Sequence, residues 1–132
     1  MLEFCARLTA RLPQPTASSW TICLVSDRRM AELNYQYRGK RGATDVLSFP
    51  DDLDDGSPSP SVDDERELGD VVISVETAER QADEQGHSLW HELQLLSIHG
   101  YLHLSGYDHE TDSGEMMQLQ GRLVRELCEG DR

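Results

Sequence analysis

The spacing of apolar residues along the chain predicts five helices. Apolar side chains recur every three or four positions in four of these stretches, which is the period of an amphipathic helix, and the remaining stretch, 75–85, has a polar-faced helical composition. Pro13 and Pro15 end the first helix, and Gly86 ends the third. The predicted helices cover residues 2–12, 27–37, 75–85, 88–104 and 111–128.

Three shorter stretches, at residues 18–26, 45–49 and 68–74, have the pattern of β-strands. The last of them contains Val71, Val72 and Ile73 in succession, which is typical of a strand buried on both faces. Strands and helices in this order predict an α+β fold, in which a small mixed β-sheet packs against about five helices. At 132 residues we expect a single domain over residues 1–132.

Composition narrows the class of protein. The chain is 37% hydrophobic and 28% charged, which suits a soluble globular domain, and it has no run of about 18 apolar residues that would predict a membrane span. Its start lacks the basic and apolar regions of a signal peptide. Cys5, Cys23 and Cys128 are far apart and odd in number, so we expect buried thiols in a reducing compartment, and the cytoplasm is the expected location.

The net charge of −13 is unevenly distributed. Residues 1–44 carry a net charge of +4, and the segment 51–67 carries −7. The whole-chain charge alone would argue against a nucleic-acid partner, because such binding depends on Lys and Arg neutralising phosphates, but the basic first third removes much of that argument. Residues 51–66 are rich in Asp, Ser, Pro and Gly, and we expect a solvated, mobile acidic loop there.

Three of the five histidines lie within eleven residues of one another. His99 and His103 are four apart on the predicted fourth helix, so they lie on one face of it. Gly106 provides a place for the helix to end, after which His109 would return to the same point. Three imidazoles with a fourth position left for water describe a catalytic zinc site. An i,i+4 histidine pair by itself would be an ordinary structural feature, and the third histidine is what favours a metal.

The same histidine spacing occurs in metzincin proteases, which also carry a Glu directly after the first histidine as general base. This chain has Gly100 at that position. Since general acid–base catalysis contributes roughly 10²–10⁴-fold, the missing Glu argues against peptide hydrolysis. Glu92, Asp108 or Glu110 are the acids that would have to replace it. Asp108 is alternatively a hydrogen-bond acceptor that orients a ligand imidazole, or a solvent-facing residue.

The second candidate for chemistry is Arg38, which precedes Lys40 and Arg41 on a glycine-flanked loop. A planar guanidinium matches phosphate oxygens in a bidentate way. On spacing alone, however, a plain solvated basic loop is the better interpretation. His91 lies two turns before His99 and would either line the same cleft or be an ordinary helix-face residue. His87 is interpreted as a residue of the helix start without chemistry.

Residues 99–109 read HGYLHLSGYDH, which closely resembles the H-G-x-L-H-L-x-G-Y-D-H signature of the YbeY family of metal-dependent endoribonucleases. Residues 34–40 with 44–50 resemble its N-x-x-Y-R-x-K and T-D-V-L-S-F-P block, and residues 68–74 resemble its L-G-D strand. The acidic segment 51–67 is a departure from the family pattern.

The resemblance implies one zinc ion on His99, His103 and His109, with Arg38 facing the metal and serving RNA cleavage. It further implies single-strand-specific cleavage, maturation of the 3′ end of small-subunit ribosomal RNA, ribosome quality control, and the small ribosomal subunit as partner. Lys40, His91 and Asp108 are further candidates for the cleft or for supporting the ligands. The alternatives are a metalloprotease-like hydrolase and a non-catalytic ribosome-assembly factor with a structural zinc.

Overall fold

A computed structural model of the chain describes residues 2–12, 18–50, 66–108 and 112–128. Within these ranges the chain forms five helices and three strands, which confirms the predicted α+β fold. The helices and strands follow one another as α1 (Leu2–Arg11), β1 (Ser18–Val25), α2 (Asp27–Arg38), β2 (Val46–Pro50), β3 (Arg66–Ser74), α3 (Val75–Gln85), α4 (Leu89–Leu104) and α5 (Glu115–Leu127).

The sheet is mixed and has the strand order β1-β3-β2. The central strand β3 runs parallel to β1 and antiparallel to β2. Val72 pairs with Cys23 on one side and with Leu47 on the other. Val71, Val72 and Ile73 are 0–6% exposed, which confirms that this run is buried on both faces, as a central strand between two helical layers requires.

Helices cover both faces of the sheet. On one face, Met30 of α2 packs against Leu47 and Val72. On the other face, α3 and α4 pack against Val71 and Ile73. Helices α1 and α5 then cover the far side of α4, in a cluster that buries Ile98, Tyr101 and Leu102 of α4. Helix α4 is therefore packed against the sheet and against other helices, and the prediction that the histidine-bearing helix is largely buried is confirmed.

Both ends of α4 are defined by local hydrogen bonds. The Ser88 side chain accepts from the N–H of His91 at 3.0 Å, which caps the first turn. After Leu104, Gly106 has a φ of +99°, and its N–H donates to the His103 carbonyl at 3.1 Å. A left-handed φ is one that glycine adopts without steric cost, so the predicted helix end at Gly106 is confirmed.

Several boundaries differ from the prediction. Strand β3 begins at Arg66, which was expected to belong to the acidic loop, because its first residues pair with the start of β1. Residues 51–65, predicted as a mobile loop, lie outside the described residues. Helix α5 begins at Glu115 rather than residue 111, because the Asp112 carboxylate accepts from the N–H groups of Gly114 and Met116 and forms a separate turn.

The three cysteines carry free thiols. Only Cys128 is buried, so the expectation of buried thiols is wrong for Cys5 and Cys23, which are partly exposed. Burial raises the pKa of the Cys5 thiol.

No helix in the described ranges is long and apolar enough to cross a membrane.

Helix α4 approaches the sheet closely at Gly100. A Cβ at this position would lie 2.5 Å from Val71 Cγ1 and 3.3 Å from Ser48 Oγ. The Ser48 hydroxyl also donates to the Gly100 carbonyl at 3.1 Å. Since carbon atoms make favourable contact only at about 3.5–4.0 Å, no side chain fits between the helix and strand β3 here.

We therefore expect Gly100→Ala to destabilise the protein by about 1–3 kcal/mol through overpacking. Gly121→Ala is a matched control inside α5, since its Cβ would meet only the end of the flexible Arg125 side chain, at 3.6 Å. That control should stabilise the protein by up to about 1 kcal/mol, because alanine favours the helix. Urea denaturation of both variants measures the difference, and equal stabilities would contradict the packing argument.

A carboxylate joins the starts of α2 and α3. Asp27 accepts hydrogen bonds from the hydroxyls of Ser74 and Thr77, the latter at 2.6 Å, and lies 2.9 Å from an Arg80 nitrogen. These bonds, led by the one from Ser74, lower the pKa of Asp27 to about 2. In return, the Asp27 N–H donates to Glu76 at 2.8 Å.

Because the folded-state pKa of Asp27 is below its ordinary value of 3.8, its stabilising contribution is complete above about pH 4 and is lost as the pH falls towards 2. We expect Asp27→Asn to be less stable than the parent at neutral pH and to lose less stability over this acidic interval. Urea denaturation at a series of pH values measures both. If the two stability curves ran parallel between pH 4 and 2, the Asp27 contribution would be refuted.

Candidate metal centre and phosphate cleft

The C-terminal half of α4 borders a cleft of about 490 Å³ that also involves the edge strand β2 and the end of α2. The wall formed by α4 contributes both histidines that the sequence predicted on this helix. The side chain of Arg38 reaches the cleft from the opposite side. The residues around the cleft are Arg38, Asp45, Val46, Leu47, Ser48, Pro50, His99, His103, Gly106, Tyr107 and Asp108.

The two histidines point at a common position. His99 Nε2 and His103 Nε2 lie 3.2 Å apart, and their ring centroids are 4.7 Å apart. Tetrahedral zinc with Zn–N bonds of about 2.0–2.1 Å places two ligand nitrogens about 3.3 Å apart. The pair therefore fits two ligand positions of a zinc ion. His109, the predicted third ligand, lies outside the described residues.

The tautomer of His99 is set by a residue that the sequence analysis did not identify. His99 Nδ1 lies 2.8 Å from the side-chain oxygen of Gln120 on α5. An amide oxygen only accepts hydrogen bonds, so Nδ1 carries the proton and donates it to Gln120. The Nε2 lone pair of a neutral His99 then faces His103 Nε2, where a proton or a cation between the two nitrogens satisfies it.

A signal for Gln120 was present in the sequence. Met116, Leu123 and Leu127 form the buried face of α5, and Gln120 lies on the same face, four residues after Met116 and three before Leu123. A polar residue among core positions requires a hydrogen-bond partner. Its partner, His99, is 21 residues earlier in the chain, so only the packing of α5 on α4 identifies it.

Arg38 is the last residue of α2, and Asn34 one turn earlier holds it in place. Asn34 is 4% exposed. Its amide nitrogen donates to the Gly42 carbonyl at 2.9 Å, and its side-chain oxygen lies 3.5 Å from Arg38 Nη1. This buried amide therefore connects the helix end, the following loop and the guanidinium. The plain solvated loop that spacing alone favoured does not describe Arg38, which lines the cleft.

Of the three remaining candidate residues, one lines the cleft and two are not among its described residues. Asp108 lines the cleft and is exposed to solvent at its rim. Lys40 and His91 are absent from the described lining. Lys40 is exposed on the loop after α2. The His91 ring instead packs against His87, with centroids 4.7 Å apart, because it is rotated around α4 away from His99. Asp45 lines the cleft and was not predicted as a site residue.

Glu92, which the sequence offered as a substitute for the missing general base, is buried and contacts His87 rather than the histidine pair. Its Oε1 lies 2.6 Å from His87 Nε2, so His87 has a polar partner that the sequence analysis missed. The side-chain amide of Gln81 satisfies its hydrogen bonds when its nitrogen faces the two carboxylates. In that orientation the nitrogen donates to Glu92 at 2.9 Å and to Asp45 at 3.3 Å. Glu92 therefore supports the interior between α3 and α4 and does not face the histidine pair. Glu110 lies outside the described residues.

The fold and the cleft together define an α+β domain with a three-stranded sheet, in which two imidazoles and a guanidinium line one cleft. The family model described as Endoribonuclease YbeY matches residues 3–128. The chain therefore belongs to the YbeY endoribonuclease family.

Individual relatives agree with this assignment. An "Endoribonuclease YbeY" of Nautilia profundicola is 46% identical over 106 residues, which cover 80% of this chain and 70% of that protein. One from a Synechococcus strain is 51% identical over 104 residues, covering 76% of this chain and 60% of that protein. One from a Chelativorans strain is 40% identical over 124 residues, covering 92% and 74%. The chain thus spans between three fifths and three quarters of the length of these relatives.

The fold also matches a solved structure. The solution structure of a protein from Thermotoga maritima superposes with a TM-score of 0.62 at 30% identity, covering 96% of this chain and 77% of that one. Because nearly the whole chain takes part, the similarity is one of the overall fold and not of a local motif alone.

Proposed function

We propose that this chain is a zinc-dependent endoribonuclease, with one zinc ion per chain, that cuts single-stranded RNA in the cytoplasm. The observation that carries the proposal is that the guanidinium of Arg38 and the imidazoles of His99 and His103 line the same cleft. The imidazoles are suited to a metal ion and the guanidinium to a phosphate. A cleft with both groups suits hydrolysis of a phosphodiester bond.

The roles of the residues follow from their chemistry. His99 and His103, with His109 as the third ligand, would hold the zinc ion, and Gln120 keeps the His99 Nε2 lone pair directed at it. When bound, zinc would supply a Lewis acid that could lower the pKa of water towards roughly 7 and polarise a phosphoryl oxygen. Arg38 binds the non-bridging phosphate oxygens, where negative charge develops during cleavage.

The packing of Gly100 supports RNA rather than peptide as substrate. A metalloprotease with this histidine spacing requires a Glu directly after the first histidine. In this chain even a Cβ at that position would lie 2.5 Å from Val71. The side chain that such a protease carries for proton transfer therefore has no room at position 100. Of the acids that could replace it, the buried Glu92 contacts His87 instead, and Asp108 lines the cleft.

The biological role proposed is maturation of the 3′ end of small-subunit ribosomal RNA together with ribosome quality control, with the small ribosomal subunit as partner. Its support is the resemblance of residues 99–109 and of the Arg38 block to the family signature, together with the name "Endoribonuclease YbeY" that the relatives carry. The basic first third of the chain, with its net charge of +4, is compatible with an RNA partner.

The proposal predicts that Arg38→Ala lowers the rate of single-stranded RNA cleavage by roughly 10²–10³-fold while the zinc content stays the same, since one charge-stabilising group is removed. Arg28→Ala is the matched control, because Arg28 is on the same helix but is paired with Glu32 and is not among the described residues of the cleft. Cleavage of a labelled oligoribonucleotide and elemental analysis provide the two measurements.

His103→Ala separates the rival functions, since it should abolish both metal binding and cleavage. If zinc-loaded parent protein degraded casein and left RNA intact, the chain would be a protease-like hydrolase. If Arg38→Ala supported ribosome maturation as well as the parent in cells lacking the native gene, the chain would be an assembly factor with a structural zinc.

A further prediction concerns Gln120→Leu, which removes the acceptor for His99 Nδ1 but keeps a side chain of similar size at this half-buried position. Loss of an outer hydrogen bond to a ligand histidine lowers metal affinity by roughly 10- to 100-fold. Gln118→Leu, at an exposed position of the same helix, should leave zinc affinity unchanged. Chelator competition measures the affinity, and equal values for the two variants would show that Gln120 does not orient His99.

A further inference from the structure

Two tyrosines on α2 are unusually exposed for aromatic residues. Tyr35 is 62% exposed and Tyr37 is 60% exposed. An aromatic ring gains free energy by burial, so a ring left open to solvent beside a cleft is a candidate contact for a ligand. The surroundings of the two rings differ, and they favour Tyr37 as the ligand contact.

Tyr37 is held in a fixed orientation, whereas Tyr35 has no ring partner within the described ranges. The Tyr37 ring packs edge-to-face on Phe49 of β2, with centroids 5.1 Å apart and an interplanar angle of 68°. Phe49 in turn packs against the cluster of Met30, Leu47 and Val72 between α2 and the sheet. Tyr37 thus presents an open ring on a rigid support.

Tyr37 and Arg38 are neighbours in the last turn of α2, and Arg38 lines the cleft. Val46, Leu47, Ser48 and Pro50 of β2 line the cleft, and Phe49 is not among the described lining residues. Tyr37 contacts Phe49 beside this lining, and the next residue, Arg38, belongs to the lining. A chain that leaves the cleft over β2 would therefore meet Tyr37 directly after Arg38.

The charges around Tyr37 favour a polyanion. Arg38, Lys40 and Arg41 are all exposed, and none of the ion pairs in the described part of the chain involves them. At the start of the same helix, by contrast, Arg28 and Arg29 both pair with Glu32. The three cations beside Tyr37 therefore keep their charge available for phosphates.

The end of α2 is fixed as well. The Gly39 N–H donates to the Tyr35 carbonyl at 3.0 Å, and the Asn34 amide is bonded to the Gly42 carbonyl. The backbone of the loop that carries the cations is therefore anchored to the helix that carries the ring. A preorganised ring and charge lose little conformational entropy when a ligand binds.

We propose that the open face of Tyr37, supported by Phe49, is the site where one unpaired base of single-stranded RNA stacks as the strand leaves the cleft. Stacking on an aromatic ring accepts any base, and phosphate contacts to neighbouring cations complete such sites. In a duplex both faces of each base are already covered, so this site discriminates in favour of unpaired RNA. The inference rests on the proposed function, since it assumes that RNA occupies the cleft.

The test measures binding of an unstructured oligoribonucleotide and of an RNA duplex by fluorescence anisotropy, with the metal chelated so that nothing is cut. Tyr37→Leu keeps an apolar contact to Phe49 but removes the stacking face, and it should weaken binding of the single strand by roughly 5- to 100-fold. Tyr37→Phe should restore binding, and duplex binding should not change.

Tyr35→Leu is the matched control, with equal exposure on the same helix, and it should bind like the parent. If Tyr37→Leu bound the single strand as tightly as the parent, or if Tyr35→Leu lost as much affinity, the stacking site would be refuted while RNA cleavage by the parent still upheld the proposed function. If the parent bound neither RNA, both proposals would fail.

A measurement on the unsubstituted protein guards against a variant that does not fold. An oligoribonucleotide carrying 5-iodouridine forms cross-links to aromatic side chains on which it stacks, and the modified peptide is identified by mass spectrometry. The expected attachment is at Tyr37. Attachment at Tyr35, or at no residue of α2, would overturn the proposal.

Discussion

The contact between α4 and the sheet at Gly100 is the constraint on which the rest of the structure depends. A helix that carries ligands must lie close to the strands if its side chains are to reach a cleft formed by the sheet edge. The absence of a side chain at Gly100 allows this approach, since even a Cβ would overlap Val71. The Ser48 hydroxyl then fixes the depth by its bond to the Gly100 carbonyl. His99 and His103, one residue before and three residues after this contact, are placed beside β2 as a consequence.

The same glycine connects packing with chemistry. In the sequence, Gly100 was informative because it replaced the catalytic Glu of a protease, which is an argument about proton transfer. In the structure, it is the residue that the close approach requires, which is an argument about volume. The histidine spacing is shared with proteases, whereas the close packing of position 100 against Val71 leaves no room for the Glu that they carry there. Similar ligand spacing therefore does not imply a similar cleft.

Much of the fold and part of the site follow from local sequence patterns, and the rest depends on contacts between distant residues. The buried run at Val71 to Ile73 and the convergence of His99 and His103 result from the periods of strand and helix. The strand order β1-β3-β2 does not, because periodicity says which face is buried and not which strands are neighbours. The bond from His99 to Gln120 was missed for the same reason: the composition of α5 marks Gln120 as a polar residue in a core position, but only the packing of two helices supplies its partner.

The distribution of charge explains how an acidic chain would accommodate RNA. At physiological ionic strength, interactions between exposed charges are largely screened beyond about 8 Å. A phosphate at Arg38 therefore responds to the cations of its own loop far more than to the net charge of −13 of the whole chain. What matters is whether those cations are already neutralised within the protein. Arg28 and Arg29 are paired with Glu32, while the loop after α2 retains its charge next to the cleft, so the binding surface is defined by unpaired cations and not by the total count of basic residues.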